Sequence, residues 1–244
     1  MRGWLLPALL CLPVATAAVE PLPAIVLIID DMGDTAHAGE RVVELPGPVV
    51  CAILPGAPHG KRLARRCHAA GKDVLLHLPM EAENGADPGP GAVTLAMLPD
   101  EFRATVNAAL DALPHVQGVN NHMGSLLTQA PGPMTWLMDE LRRRDEGLSF
   151  VDSRTTPRSV AAAVAGERGV PNLSRDVFLD NVRDESAICQ RFLELVAVAR
   201  REGEAVGIGH PYRETLRVLE DVLPTLEVSH GVRLQGLDEA LGRD

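Results

Sequence analysis

The stretch Ala24-Ile25-Val26-Leu27-Ile28-Ile29-Asp30-Asp31-Met32-Gly33 decides the fold class of this 244-residue chain. Its first six residues are all apolar, so a strand here has no wet face and must be covered on both sides. A strand with one face in water alternates apolar and polar residues, whereas an unbroken apolar run marks a parallel strand with helices packed over the sheet. The run stops on two carboxylates and a glycine. In parallel α/β folds, function collects at the carboxyl ends of strands, which is where this pair falls.

The same short apolar runs recur at Val49–Leu54, Val74–Leu78, Gly118–Asn120, Leu148–Val151, Pro171–Leu173, Ala205–Ile208 and Val232–Leu234. Helical periodicity lies between them. Phe102, Val106, Ala109, Leu110 and Leu113 fall on one face after the start signal Pro99-Asp100. Met134, Leu137, Met138 and Leu141 form a second stripe ended by Gly147, and Ile188, Phe192, Leu195, Val196 and Ala199 a third ended by Gly203. Residues 35–45, 58–70, 157–168 and 213–223 also suit helices. This alternation, with no linker, charge block or repeat, predicts a single α/β domain on a mainly parallel sheet of seven to eight strands, open or closed into a barrel. The Gly/Pro-rich stretch Asn84–Gly91 reads as a long surface loop bordering a site.

Residues 1–17 read as an export signal. Arg2 gives a positive start, Trp4 to Val14 is almost wholly apolar, and Ala15-Thr16-Ala17 supplies a small-x-small cleavage pattern. The expected folded domain is therefore 18–244, in the periplasm or secreted, with no stable membrane span after cleavage because the apolar run is short and carries Pro7 and Pro13. Cys51, Cys67 and Cys189 then remain, a set with no Cys-x-x-Cys spacing and no readable pairing; Cys51, in an apolar run, reads as a small buried side chain. A net charge of −10 argues against nucleic acid as a partner, since phosphate binding needs a basic surface.

The strand ends are unusually polar. They carry Asp30-Asp31, His77 with Glu81, Asn120-Asn121-His122 with Ser125, Asp152-Ser153-Arg154, Arg175-Asp176 and His210 with Tyr212. An isolated Asp after a strand is more often a turn or helix cap than a ligand, and a lone His more often a satisfied core residue. Their recurrence at corresponding ends is what predicts one shared site. One Asp and two His that leave positions open for water make a catalytic set for Zn²⁺ or a similar divalent ion, with a second carboxylate to take a proton and another histidine to return one. Adjacent strand residues face opposite ways, so Asp30 and Asp31 serve together only if the strand ends or bends there, which Gly33 permits.

Five segments in order resemble the divergent polysaccharide deacetylase family: Ile28–Gly33, His77-Leu78-Pro79-Met80-Glu81, Gly118–Ser125, Phe150–Thr155 and Ile208-Gly209-His210-Pro211. The resemblance spans about residues 23–241. It implies a distorted β/α barrel and metal-dependent removal of N-acetyl groups from an amino-sugar polymer of the cell envelope, with zinc as the expected ion. By motif, Asp30 is the expected general base, Asp31 a metal ligand and His210 the general acid. Related deacetylases carry two ligand histidines four residues apart after the third strand. Here His77 is present but Glu81 occupies the fourth position. The second histidine ligand is therefore assigned to His122, and Glu81 becomes a ligand or a partner of a ligand.

Asn121, Ser125, Asp152, Arg154 and Asp176 are candidate substrate contacts or supports of the site, with Asp152 or Asp176 holding His210 or binding sugar hydroxyls. Rim salt bridges with Arg154 and Arg175 are the plainer alternative for the two aspartates. Only 3% of the chain is aromatic, which leaves Tyr212 and Trp136 as candidate sugar contacts. Trp136 sits roughly 150° from the centre of its helix's apolar stripe, which suits either stacking on a sugar or simple exposure. The departure at Glu81 keeps a second class open, a catalytically inactive glycan-binding or scaffold protein of the envelope. A phosphoesterase is weaker, for want of a Gly-rich phosphate cradle.

Overall fold

The computed structural model describes residues 21–144 and 147–243; the export signal expected over residues 1–17 lies outside them. Among the described residues, nine strand segments follow one another as β1 (Ala24–Met32), β2 (Val50–Ile53), β3 (Val74–Met80), β4 (Val116–Met123), β5 (Ser149–Asp152), β6 (Asn172–Ser174), β7 (Val177–Phe178), β8 (Glu204–Gly209) and β9 (Arg233–Leu234). The main helices between them are α1 (Ala36–Glu44), α2 (Gly60–Ala69), α3 (Pro99–Asp111), α4 (Pro131–Arg143), α5 (Ala161–Glu167), α6 (Glu185–Glu202) and α7 (Arg213–Val222), followed by the short α8 (Leu226–His230) and α9 (Leu237–Ala240). Each apolar run read from the sequence is a strand and each periodic stretch a helix. Among the described residues, the two-residue β7 is the one strand without an apolar run to announce it, being too short to leave a pattern.

The strand order is β6-β5-β4-β3-β2-β1-β8-β7, all parallel, with β9 beside the first residues of β1. The two ends of that order are neighbours in sequence, with only Arg175 and Asp176 between β6 and β7. Two residues span at most about 7 Å, so the sheet has to curl until its ends meet. The join is hydrogen bonded: Arg175 donates its backbone N–H to Asp152 of β5, and Asp176 donates to Val206 of β8. One extended segment thus pairs with β5 through its first half and with β8 through its second. The result is the distorted β/α barrel that the resemblance implied.

Burial sorts the strand residues by parity. Val26, Ile28, Val50, Ala52, Leu75, Val151, Val206 and Ile208 pack together inside the barrel, with Leu237 of α9 beneath them. The alternate residues, among them Ile25, Leu27, Ile29, Leu76, Val119 and Phe150, pack under the helices. This is why the runs are apolar at every position. Gly118 faces the interior next to Ser149, and a Cβ there would lie 2.2 Å from the Ser149 hydroxyl. Outside, α6 is fixed at both ends: the Asp184 side chain accepts from the Ala187 N–H, and Gly203 closes the helix at φ +90°.

Cys51 and Cys67 form a disulfide between β2 and α2, so Cys51 is not simply a small core residue. Cys189 is exposed and forms no disulfide among the described residues. Among the described residues, no helix is long and apolar enough to cross a membrane.

Candidate metal and catalytic centre

The interior parity continues past the apolar layer into the polar strand ends. Val26 and Ile28 lead to Asp30, Leu75 to His77, Gly118 to Asn120 and His122, Val151 to Ser153, and Val206 and Ile208 to His210. Strand register aligns them, with His77 opposite Asn120 and Pro79 opposite His122. The barrel mouth is therefore lined with polar groups because the strands outrun the apolar plug.

Asp31 breaks the parity. Its φ of +52° turns the backbone into the left-handed region, where the pairing of β1 with β2 slips between Ile29 and Met32. The bend lies at Asp31 itself, two residues before Gly33, and it brings both carboxylates to the same side. Such strain in a non-glycine residue costs about 1–3 kcal/mol and is typical of functional sites.

Asp31, His77 and His122 bring one donor atom each to within 4.8 Å of one another. Oδ1 of Asp31 lies 2.8 Å from Nδ1 of His122 and 3.2 Å from Nε2 of His77. It is buried, yet no N–H or O–H group among the described residues is aligned to donate to it. A buried acceptor without a donor, facing two imidazole nitrogens, suits a divalent cation better than it suits an internal hydrogen bond. Burial alone would raise the Asp31 pKa, but the His122 and His77 imidazoles outweigh it and hold the carboxyl well below the usual range. A carboxylate that stays ionised and two imidazoles form a donor set that fits zinc or a similar ion.

Asn120, fully buried, belongs to the site although the strand-end pattern singles out Asn121 instead. Its Nδ2 donates to Oδ1 of Asp30 at 2.7 Å, and its Oδ1 lies 2.8 Å from Nδ1 of His77. The carboxylate can only accept, so the amide oxygen must face His77 and receive its Nδ1–H. That leaves the Nε2 lone pair of His77 pointing at Asp31. The signal for Asn120 was its parity with His122, two residues on. Burial pushes the Asp30 carboxyl up, only partly offset by His77, His210 and Asn120.

The partner of His210 is Asp180, not Asp152 or Asp176. Oδ1 of Asp180 lies 2.9 Å from Nδ1 of His210, while its Oδ2 accepts from the His210 backbone N–H and the Thr215 hydroxyl. Nε2 of His210 is thus left facing the site, 3.6 Å from Oδ2 of Asp31. Burial works against the imidazolium, but Asp180, aided by Asp30 and Asp31, raises the His210 pKa. Asp180 follows the two-residue β7, which gave no pattern to read. Tyr212 stacks on His210 with ring centroids 5.1 Å apart, and the Arg183 guanidinium lies over the Tyr212 ring, 3.5 Å from its centroid.

Several expected contributors lie elsewhere or hold loops. Glu81 does not join the donor cluster; its carboxylate accepts the Leu95 N–H and closes the 82–95 loop. Asn121 bridges the Met123 carbonyl and the Ser153 N–H, and the Ser125 hydroxyl accepts the Glu83 N–H. Asp152 accepts from the Arg154 N–H and the Ser159 hydroxyl, so it caps a turn. Asp176 accepts the Val206 N–H, short of the mouth, and makes no ion pair with Arg175. Trp136 meets Phe102 edge-on at 5.7 Å between α4 and α3, outside the sheet, so it faces no cleft. Arg154 stays at the rim beside the site.

Two cavities flank the cluster. One, of about 370 Å³, is lined by Pro55, Pro58, Pro79, Pro88, Pro90 and His122, so the Gly/Pro-rich loop does border the site. The other, of about 600 Å³, begins at Ser153, whose hydroxyl is 3.3 Å from Nδ2 of Asn120.

Comparison with known proteins agrees with this architecture. The profile of the family described as divergent polysaccharide deacetylase matches residues 27–241. An uncharacterized Haemophilus influenzae protein is 34% identical over 200 residues, covering 82% of this chain and 71% of its own length. The uncharacterized Escherichia coli protein YibQ is also 34% identical over 82% of this chain, which spans only 62% of that relative. Among solved structures, an uncharacterized Agrobacterium tumefaciens protein superposes with a TM-score of 0.85 at 18% identity, covering 92% of each chain. A deacetylase solved with its substrate gives 0.55 at 12% identity over 91% of this chain and 93% of its own, a likeness of fold. By the family match over nearly the whole described chain, this protein belongs to the divergent polysaccharide deacetylases.

Proposed function

We propose that the protein is an exported, metal-dependent hydrolase that removes N-acetyl groups from an amino-sugar polymer of the cell envelope. The observation that carries this reading is the convergence of Asp31, His77 and His122 around a buried carboxylate oxygen with no donor, flanked by Asp30 and His210. The Cys51–Cys67 disulfide supports the export reading, because structural disulfides persist in oxidising compartments.

A divalent ion held by Asp31, His77 and His122 supplies Lewis acidity for the acyl carbonyl and the attacking water. The chain's own groups handle the protons. Asp30, with one oxygen held by Asn120, takes the proton of the water through the other, which points toward His77 at 3.7 Å. His210, with Nδ1 committed to Asp180, presents Nε2 to the departing amine and donates to it. The Asp180 carboxylate favours the imidazolium, so the acid is loaded before the amide breaks.

The test is metal analysis combined with acetate release from acetylated amino-sugar oligomers. Wild type should hold about one ion per chain and release acetate. His122→Ala should lose the ion, whereas Asp30→Asn should keep it and release no acetate. Failure of the wild type to bind any ion after reconstitution overturns the site. A full complement of metal with no turnover on any glycan favours the binding-protein alternative.

A further inference from the structure

We infer that the cavity of about 600 Å³ beside the catalytic cluster is a subsite for an anionic substituent, a carboxylate or phosphate, on the glycan next to the acyl group removed. This rests on the deacetylase reading in placing the anion and the acyl group on one substrate. The lining carries three guanidiniums, from Arg154, Arg175 and Arg191, and no Asp or Glu. In a chain of net charge −10, a concave surface of one positive sign is a local reversal that suits an anion.

These cations are only partly spent on the protein. Arg175 is half-buried and donates to the Ser153 and Arg154 carbonyls, lies 5.0 Å from the Phe178 ring centroid, and has no carboxylate partner among the described residues. Arg154 is exposed and likewise makes no ion pair among the described residues. Arg191 donates to the Phe178 carbonyl and pairs with Glu194, so it is the one partly neutralised. Two guanidiniums therefore line the cavity without an ion-pair partner among the described residues, although Asp30 and Asp152 are near enough to act on Arg175, and planar guanidinium forks match carboxylate and phosphate oxygens.

The position ties the cavity to the chemistry. Ser153 forms part of its wall and contacts Asn120, which holds Asp30. Phe178 forms another part and meets the His210 ring edge-on at 5.3 Å. An anion seated here lies on the β5–β7 side of the cluster, opposite the proline-lined cavity beside His122. A glycan crossing the barrel mouth would thus meet a proline-rich wall, with Asp34 in it, on one side of the reacting centre and a cationic one on the other.

The test is calorimetric titration of the full chain with two matched pairs of probes. A hyaluronan tetrasaccharide against chitotetraose tests the carboxylate, and N-acetylglucosamine 6-phosphate against N-acetylglucosamine tests the phosphate. At least one anionic probe should bind about tenfold more tightly than its neutral counterpart at low salt, with the preference shrinking in 0.5 M NaCl, a concentration set by the short screening length there, about 4 Å. Arg154→Gln removes an exposed side chain with no partner to lose, so folding is not at issue; it should cut the ratio to within about twofold. Arg191→Gln should lower it less, because Glu194 already takes part of that charge. Equal affinity for charged and neutral probes, no binding of either anionic probe, or a ratio that survives Arg154→Gln overturns the inference. Acetate release from chitotetraose without any anionic preference sinks this subsite and leaves the deacetylase reading standing. Anionic preference without acetate release from any glycan does the reverse.

Discussion

Nδ2 of Asn120 donates to Oδ1 of Asp30 at 2.7 Å across the barrel mouth, from β4 to β1. The same amide receives the Nδ1–H of His77 on its oxygen, so one buried side chain sets both the orientation of the proposed base and the tautomer of a proposed ligand. Asn120→Ala is expected to weaken metal binding and acetate release together, each by about 10–100-fold. Competitive metal titration alongside the acetate assay checks this. Loss of turnover with unchanged metal affinity would confine the role of Asn120 to Asp30.

Asp180→Asn separates the acid from the metal. Asp180 touches none of the three converging donors, so the metal content should match wild type. The imidazole of His210 loses its carboxylate, and acetate release is expected to fall about 10²–10⁴-fold at fixed metal occupancy. Turnover within threefold of wild type would remove His210 from the proposed role of acid.

Lys72 gives a pH signature far from the site. It is buried, donates to the Leu45 and Gly47 carbonyls at 2.7 Å each, and burial lowers its pKa from the ordinary 10.5 to about 8. Below pH 8 both the folded and unfolded chains hold the proton, and the cost of burying the charge is fully present. Between about 8 and 10.5 the unfolded chain holds more protons, so the Lys72 contribution to stability rises with pH. Relative to Lys72→Met, wild type should therefore gain in melting temperature from pH 8 to 10. A flat difference over that range would refute the burial effect.

The Cys51–Cys67 disulfide closes a separation of 16 residues between β2 and α2. Loop-closure entropy makes such a crosslink worth about 3 kcal/mol. Urea unfolding of Cys67→Ser against wild type without reductant should show a loss of that order, and a reductant should bring wild type down to match it. Equal stability of the two under oxidising conditions would mean that the crosslink does not form in solution.

The order of the fold was readable because a doubly covered strand writes a run such as Ala24–Ile29, and Gly203 closes its helix in a way no neighbour has to supply. The candidate site residues stand out for a related reason: polar groups that directly follow a buried strand contrast with it, and the motifs single out Asp30, Asp31, His77 and His210, with His122 assigned from the next strand because Glu81 stands where a histidine is expected. Tertiary structure alone decided which polar residues meet. Asn120 and Asn121 are chemically identical, and only the interior parity of β4 tells them apart. Asp180 follows a two-residue strand that becomes a strand by pairing with β8, and Trp136 turns to Phe102 because α3 packs beside it. Closure of the barrel belongs to the same class, since β6 and β7 meet different partners that are distant in sequence. Local patterns record burial and chain direction, which short-range physics sets. Partner choice depends on where the sheet curls, and that is a property of the whole chain.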